Sequence, residues 1–275
     1  MKFIKSDKRI SSEVIALAIP IIFSNLSRVI MGLTDMAMVS RLGAVALAAT
    51  GMGSLLLWVI MSMGIGLRTA VQTVTARRLG QKLFPECGHA LHNGVILSVI
   101  LAIPATLLGT YYSVEIAELF LQDPEVIPQC KNYLYVGFYG ICFVLAGFAF
   151  QGFYTGVEQT KIHMKVTIVS NIINVYLNAG LIYGTDGVTD FFVKIGFPWI
   201  AVLWQWYDFP AMAVKGAALA TVIASGWMVT QYIIHILNEK IIIYKPLDFQ
   251  YSATTLIQQI KLGFPIGIQE VISMT

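Results

Sequence analysis

Asp35 stands inside a 26-residue apolar run, VIALAIPIIFSNLSRVIMGLTDMAMV, fifteen residues after Pro20. An ionisable acid in hydrocarbon is costly and marks an ion path or a counter-ion by default. A carboxyl held away from water can exchange a proton, or hold a sodium ion, with a modest change in its surroundings. The bland alternative is a hydrated acid at the mouth of a helix, capping nearby backbone. Pro20 lacks an amide hydrogen and crowds the preceding turn, so it gives the run a cause for bending.

Arg28 lies seven residues before Asp35, on nearly the same helical face and about 10 Å away along the axis. That is too far for a direct pair, but the guanidinium should still face protein or water. Arg68 and Gln72 share one face of another apolar stretch at i,i+4. Asn171, Asn174 and Asn178 in VSNIINVYLNAGLIYG form a single stripe at spacings of three and four. Three amides on one face want a polar cavity or partners on a neighbouring helix. Thr221 adds a hydroxyl at the end of GAALAT, whose small residues allow close helix contact.

Other chemistry is thin. His89, His92, His163 and His235 all fall at span ends, and although His89 and His92 are spaced i,i+3, two ligands are a weak metal signal. There is no nucleophile triad, phosphate-binding glycine loop or paired carboxylate set, so the reading is of a non-enzyme without a cofactor. Cys87, Cys130 and Cys142 show no disulfide or metal spacing.

The elements that must position these residues are membrane helices. Apolar residues make up 57% and charged residues 12%, about half the charged share of ordinary soluble domains. Six segments, at about 14–39, 51–76, 90–112, 133–157, 164–184 and 212–237, are long enough to span a bilayer. They lack the alternation of a barrel, so they should be helices. Lys2, Lys5, Lys8, Arg9, Arg77, Arg78, Lys82, Lys161, Lys165, Lys240, Lys245 and Lys261 fall on one side of these spans. Only Arg41, Lys131, Lys194 and Lys215 fall on the other. The bias puts the N-terminus in the cytoplasm. Charges scattered through short loops make nucleic acid a poor partner.

Residues 1–245 therefore read as a six-helix transmembrane lobe. Within it, 185–211 is a long Trp-rich loop on the outer side, with FPWIAVLWQW too short to cross and suited to an interfacial helix or lid. Residues 246–275 read as a polar linker, to about Thr255, and the truncated start of a seventh helix.

TDMAMVSRLGAVALAAT, TAVQTVTARRLG, QGFYTGVEQT, NIINVYLNAGLIYG, GAALAT and KLGFPIG occur in this order, each at a fixed place relative to the spans. In these stretches the chain resembles the multidrug and toxic-compound extrusion (MATE) transporter family, closer to its DNA-damage-inducible-protein-like branch. The resemblance implies one lobe of a twelve-helix, two-lobed antiporter in the inner (plasma) membrane. It would export cationic or amphipathic small molecules in exchange for H+ or Na+, and a C-terminal lobe would be missing here.

By the same resemblance Pro20 is the first-helix proline at the bend and Asp35 the essential acid. Asn174 and Thr221 match polar residues of the lobe's cavity. Asn178 stands where the branch often has a second acid. Ser273 occupies the position of a seventh-helix glutamate found in other branches, and Glu270 falls three residues early. A lipid or oligosaccharide flippase of similar architecture, and a non-transporting scaffold or inactive half-transporter, are the rival readings.

Overall fold

A computed structural model describes residues 8–274. Lys2 and Lys5 of the charge count, and Thr275 at the end, lie outside the described residues. Among the described residues the fold is all-α, and six helices are long and apolar enough to cross a membrane. They are α1 (Lys8–Ser40), α2 (Ala44–Gly80), α3 (Phe84–Tyr111), α5 (Val126–Gly156), α6 (Thr160–Lys194) and α7 (Ala213–Ile236). The short α4 (Ser113–Phe120) lies between α3 and α5, and α8 (Glu239–Ile242) lies between α7 and α9 (Ala253–Met274).

Five of the six spans outrun the hydropathy reading because the helices continue past the apolar stretch into polar residues, while α7 falls just inside the expected 212–237. Thus α2 extends from Ala44 through Arg77 and Arg78 to Gly80, rather than over 51–76. Tight connections end them. Gly43, at φ 107° between α1 and α2, adopts a backbone that side chains disfavour, and a proline opens the first turn of α3, where a missing amide costs nothing.

The packing centres on α5, which contacts α2, α3 and α7, while α6 bridges α7 to the peripheral α1. Phe138, Ile141, Ala149, Phe153 and Tyr154 of α5 are fully buried. Close backbone approach fixes the α2–α5 contact: a Cβ on Gly152 would sit 2.5 Å from the Arg68 carbonyl oxygen. In GAALAT a Cβ on Gly216 would lie 2.2 Å from the Leu181 carbonyl oxygen, so α7 meets α6 nearly backbone to backbone.

The stretch 185–211 departs from the single loop expected. Gly184 breaks α6 at φ 74°, ψ 169°, after which the chain is helical again to Lys194. Hydropathy stops at the break, but backbone hydrogen bonding resumes beyond it. PWIAVLW then forms a 3-10 helix, Pro198–Trp204. It docks on α6 through Trp204, whose indole donates to the Tyr176 carbonyl at 2.9 Å and stacks on the Tyr176 ring.

The helix after the linker begins at Ala253, inside the segment read as linker, and is 22 residues long. The preceding 246–252 segment is strapped to α3. His92 joins the Pro246 carbonyl through Nε2 at 2.7 Å and accepts from the Gln250 amide on Nδ1 at 3.2 Å. Asn93 accepts from the Ser252 amide at 3.1 Å. Gln259 of α9 donates to the Ala90 carbonyl, also on α3, at 2.7 Å.

Candidate functional site: a polar seam beside a membrane cavity

The asparagine stripe of α6 faces two helices at once. Asn178 is fully buried and donates to Asp35 Oδ1 of α1 at 2.5 Å and to Asn174 Oδ1 at 3.0 Å. Asn174, also buried, donates to Thr221 Oγ1 of α7 at 3.3 Å, and Thr221 donates to the Ala217 carbonyl at 3.1 Å. Asn171 donates to Ser27 Oγ of α1 at 2.8 Å. A continuous run of side-chain bonds therefore crosses from the acid on α1, along α6, to α7. One atom is left out: Asn178 Oδ1 is buried and has no partner, a condition that calls for an explanation in any native site.

Beside this seam lies a cavity of about 130 Å³. Arg28 and Met31 of α1, Trp58 of α2, Gln151 of α5, Ser170, Asn171 and Asn174 of α6, and Thr221 and Ser225 of α7 contribute to its wall. Five helices thus build one recess, and two members of the seam, Asn174 and Thr221, belong to both. Its volume is below the roughly 300–1,000 Å³ of pockets that enclose a drug-sized molecule. A larger ligand would need a further wall.

Sequence-predicted residues divide into those brought together and those kept apart. Asp35, Asn171, Asn174, Asn178, Thr221 and Arg28 meet around the seam and the cavity. Asp35 touches the cavity only through Asn178 and Asn174, and makes no ion pair with Arg28 among the described residues. Arg68 does not line the cavity but is an electrostatic neighbour of Arg28 and of Glu270 on α9. Gln72 lies on α2 against α5, its backbone amide 3.2 Å from where a Gly152 Cβ would stand. Pro20 is buried in an α1 that runs helical through it, and its carbonyl accepts from Ser24 Oγ at 2.8 Å.

A second polar cluster escaped the sequence reading. His163 is buried on α6 between Gln151 Nε2 of α5, at 3.1 Å, and Tyr232 of α7, at 2.6 Å. Tyr154 of α5 donates to the Tyr232 carbonyl at 2.8 Å. Since the Gln151 amide donates to Nε2, the ring hydrogen belongs on Nδ1, directed at the Tyr232 oxygen. His163 stands at the start of α6, where a histidine reads as a span-end residue. Its spacing of eight from Asn171 offered only a weak hint of a shared face. Among the described residues no group of three or more His, Cys, Asp or Glu could hold a metal ion.

Comparison with known proteins bears on this arrangement. A family model described as MatE matches residues 20–179, more than half of the chain and all of the helices from Pro20 of α1 to the asparagine stripe. A probable multidrug resistance protein NorM of Synechocystis sp. is 24% identical over 94% of this chain and 52% of its own length. A second protein of that name, from Photorhabdus laumondii, is 26% identical over 98% of this chain and 55% of its own length. The crystal structure of the eukaryotic MATE transporter AtDTX14 shares the fold, with a TM-score of 0.79 at 17% identity. It is matched over 97% of this chain and 54% of that one. The chain spans about half the length of the relatives it matches. With six membrane-length helices and a family match over more than half of its length, the chain belongs to the MatE family of multidrug and toxic-compound extrusion transporters, multi-pass membrane proteins and not enzymes.

Proposed function

We propose that this chain is one lobe of a secondary antiporter that exports cationic or amphipathic small molecules in exchange for protons or sodium ions. It would do so in the inner (plasma) membrane with its N-terminus in the cytoplasm, working with a second six-helix lobe. The observation that carries the reading is the line of bonds Asp35–Asn178–Asn174–Thr221, which ties an acid on α1 to amide and hydroxyl groups in a cavity wall. The relatives' name, probable multidrug resistance protein, supports export of drugs.

The seam has the chemistry of a two-state element. A carboxamide can present either its N–H groups or its oxygen, and exchanging them is a rotation about one bond. With Asp35 ionised, both Asn178 N–H groups are used and its Oδ1 is orphaned. A proton on Asp35 supplies an O–H donor, and a rotated Asn178 receives it on that oxygen. Asn174 must then turn its own N–H toward Asn178, which leaves its oxygen for the Thr221 hydroxyl. Neutralising the acid thereby reverses the polarity of each bond from α1 to α7. A sodium ion would act on the same oxygens, as a hard cation prefers.

Exchange further requires that cation and cargo each disfavour the other's bound state, a reciprocal coupling and not mere nearness. Asn174 and Thr221, shared by seam and cavity, are where that coupling would act.

The test is Asp35→Asn in the complete protein, assayed for dye efflux from cells at several external pH values and sodium concentrations. Cation-driven efflux should be lost while the amount of protein in the membrane stays the same. Unchanged efflux across those conditions overturns the reading.

A further inference from the structure

Among the described residues, Arg28 and Arg68 stand within membrane-length helices without an ion-pair partner. Arg28 is half-buried and lines the cavity, and Arg68 is half-buried nearby on α2. Neither makes a hydrogen bond or ion pair among the described residues, and the two are close enough to repel each other electrostatically. Both also act electrostatically on His163, so the positive potential reaches into the wall between α5 and α6. A guanidinium carries five N–H donors in a planar fork suited to a carboxylate, and leaving it unpaired away from water is costly.

The surroundings do not repair this. Among the described residues, none of the oxygens of Gln151, Ser170, Asn171 or Thr221 accepts from Arg28; Ser170 accepts from Gln231 at 2.9 Å and Thr221 from Asn174 at 3.3 Å. Asp35 is engaged by Asn178 and lies about 10 Å along the axis from Arg28. Glu270 is an electrostatic neighbour of Arg68 but forms no ion pair with it. The cavity thus has a cationic corner, polar amides and an apolar wall of Met31, Trp58 and Phe148. A ligand that was only a cation would meet repulsion there.

We propose that this cavity binds an anionic group of the exported molecule, a carboxylate or a group of like geometry, with Arg28 as its direct partner and Arg68 reinforcing the field. The preferred cargo is then an amphipathic acid or zwitterion carrying an apolar ring system. The proposal rests on the export reading and narrows its substrate class. Its volume, about 130 Å³, is close to that of an engineered cavity that holds benzene, roughly 150 Å³. It therefore accommodates a head group and leaves the remainder of the molecule outside the lobe.

The experiment uses the full-length protein in phosphatidylcholine nanodiscs, titrated by fluorescence with rhodamine B and with its ethyl ester. The pair differs by one free carboxylate. The acid should bind more tightly by about tenfold, the size of a charge-assisted pair. Arg28→Gln should erase that advantage, and Arg28→Lys, which keeps the charge but not the fork, should retain part of it. Size-exclusion profiles identify any variant that has not folded. An ester that binds as well as the acid overturns the anionic subsite and leaves the export reading intact, as does an advantage that survives both Arg28→Gln and Arg68→Gln. Failure of both dyes to bind overturns the export reading itself. Repeating the titration with phosphatidylglycerol in the discs separates cargo from lipid. An acid advantage that persists supports cargo, whereas its loss, with that lipid retained by the protein through purification, assigns the site to a lipid head group and overturns the proposal.

Discussion

The contact of α1 with α6 and the contact of α5 with α2 are both helix pairs in the same lobe, and they are built in opposite ways. In its most apolar stretch α1 is only 11% buried, against 61% for α5. It is joined to α6 by Asp35–Asn178, Ser27–Asn171 and the Tyr183 hydroxyl on the Met38 carbonyl. The α5–α2 pair relies on small residues that let backbones touch and on fully buried aromatic and aliphatic side chains. Apolar packing in lipid gains from fit rather than from leaving water, so a tight glycine contact makes a frame. A helix attached by a few polar bonds can be released by changing one charge. The difference makes α5 the buried frame and α1 the more exposed helix, tied to the lobe through α6 by polar bonds as well as packing.

The comparison can be broken most severely at Gly152. Leucine there would place a Cβ 2.5 Å from the Arg68 carbonyl oxygen and 3.0 Å from Val71 Cβ. Backbone must shift, at a cost of about 3 kcal/mol or more, seen as loss of a monodisperse size-exclusion peak. A stable Gly152→Leu protein would mean that α5 is not the frame.

Next in size, Leu134→Ala in α5, where the side chain is 0% exposed, should cost about 2 kcal/mol. That is the low end for buried leucines, because the reference chain in lipid already keeps leucine from water. Asn171→Ala removes the bond to Ser27 and should cost about 0.6 kcal/mol, typical of interhelical polar pairs. Smallest is Leu33→Ala on α1, 64% exposed, within about 0.5 kcal/mol of the parent. Thermal melts in one detergent rank the three, and a reversal of Leu134 and Leu33 would undo the contrast.

Much of this was legible in the residues. Hydropathy located six spans because lipid leaves the backbone no choice but helix, and the 3–4 spacing of Asn171, Asn174 and Asn178 predicted a common face that the fold uses. Periodicity tells which face a residue is on, not which helix lies opposite. That Asn178 meets Asp35 and Asn174 meets Thr221 follows from the crossing of α6 with α1 and α7, 143 and 47 residues apart in sequence. The His163–Tyr232 pair was hidden for the same reason, at a separation of 69. Gly184 was unreadable in another way: a glycine in an apolar helix is common, and only its neighbours required a positive φ. The Thr185 amide donates to the Phe209 carbonyl at 3.1 Å, and the Met212 amide to the Leu181 carbonyl at 2.8 Å, so the returning chain is stitched to the break.

The strap between α3 and the 246–252 segment has a mechanical consequence. His92 and Asn93 take hold of Pro246, Gln250 and Ser252, so both ends of the segment are pinned within one turn of α3. A connector held in this way has no slack. Displacement of α9 along its axis would be transmitted to α3 as tension instead of being absorbed by uncoiling, and the two helices would travel as one body.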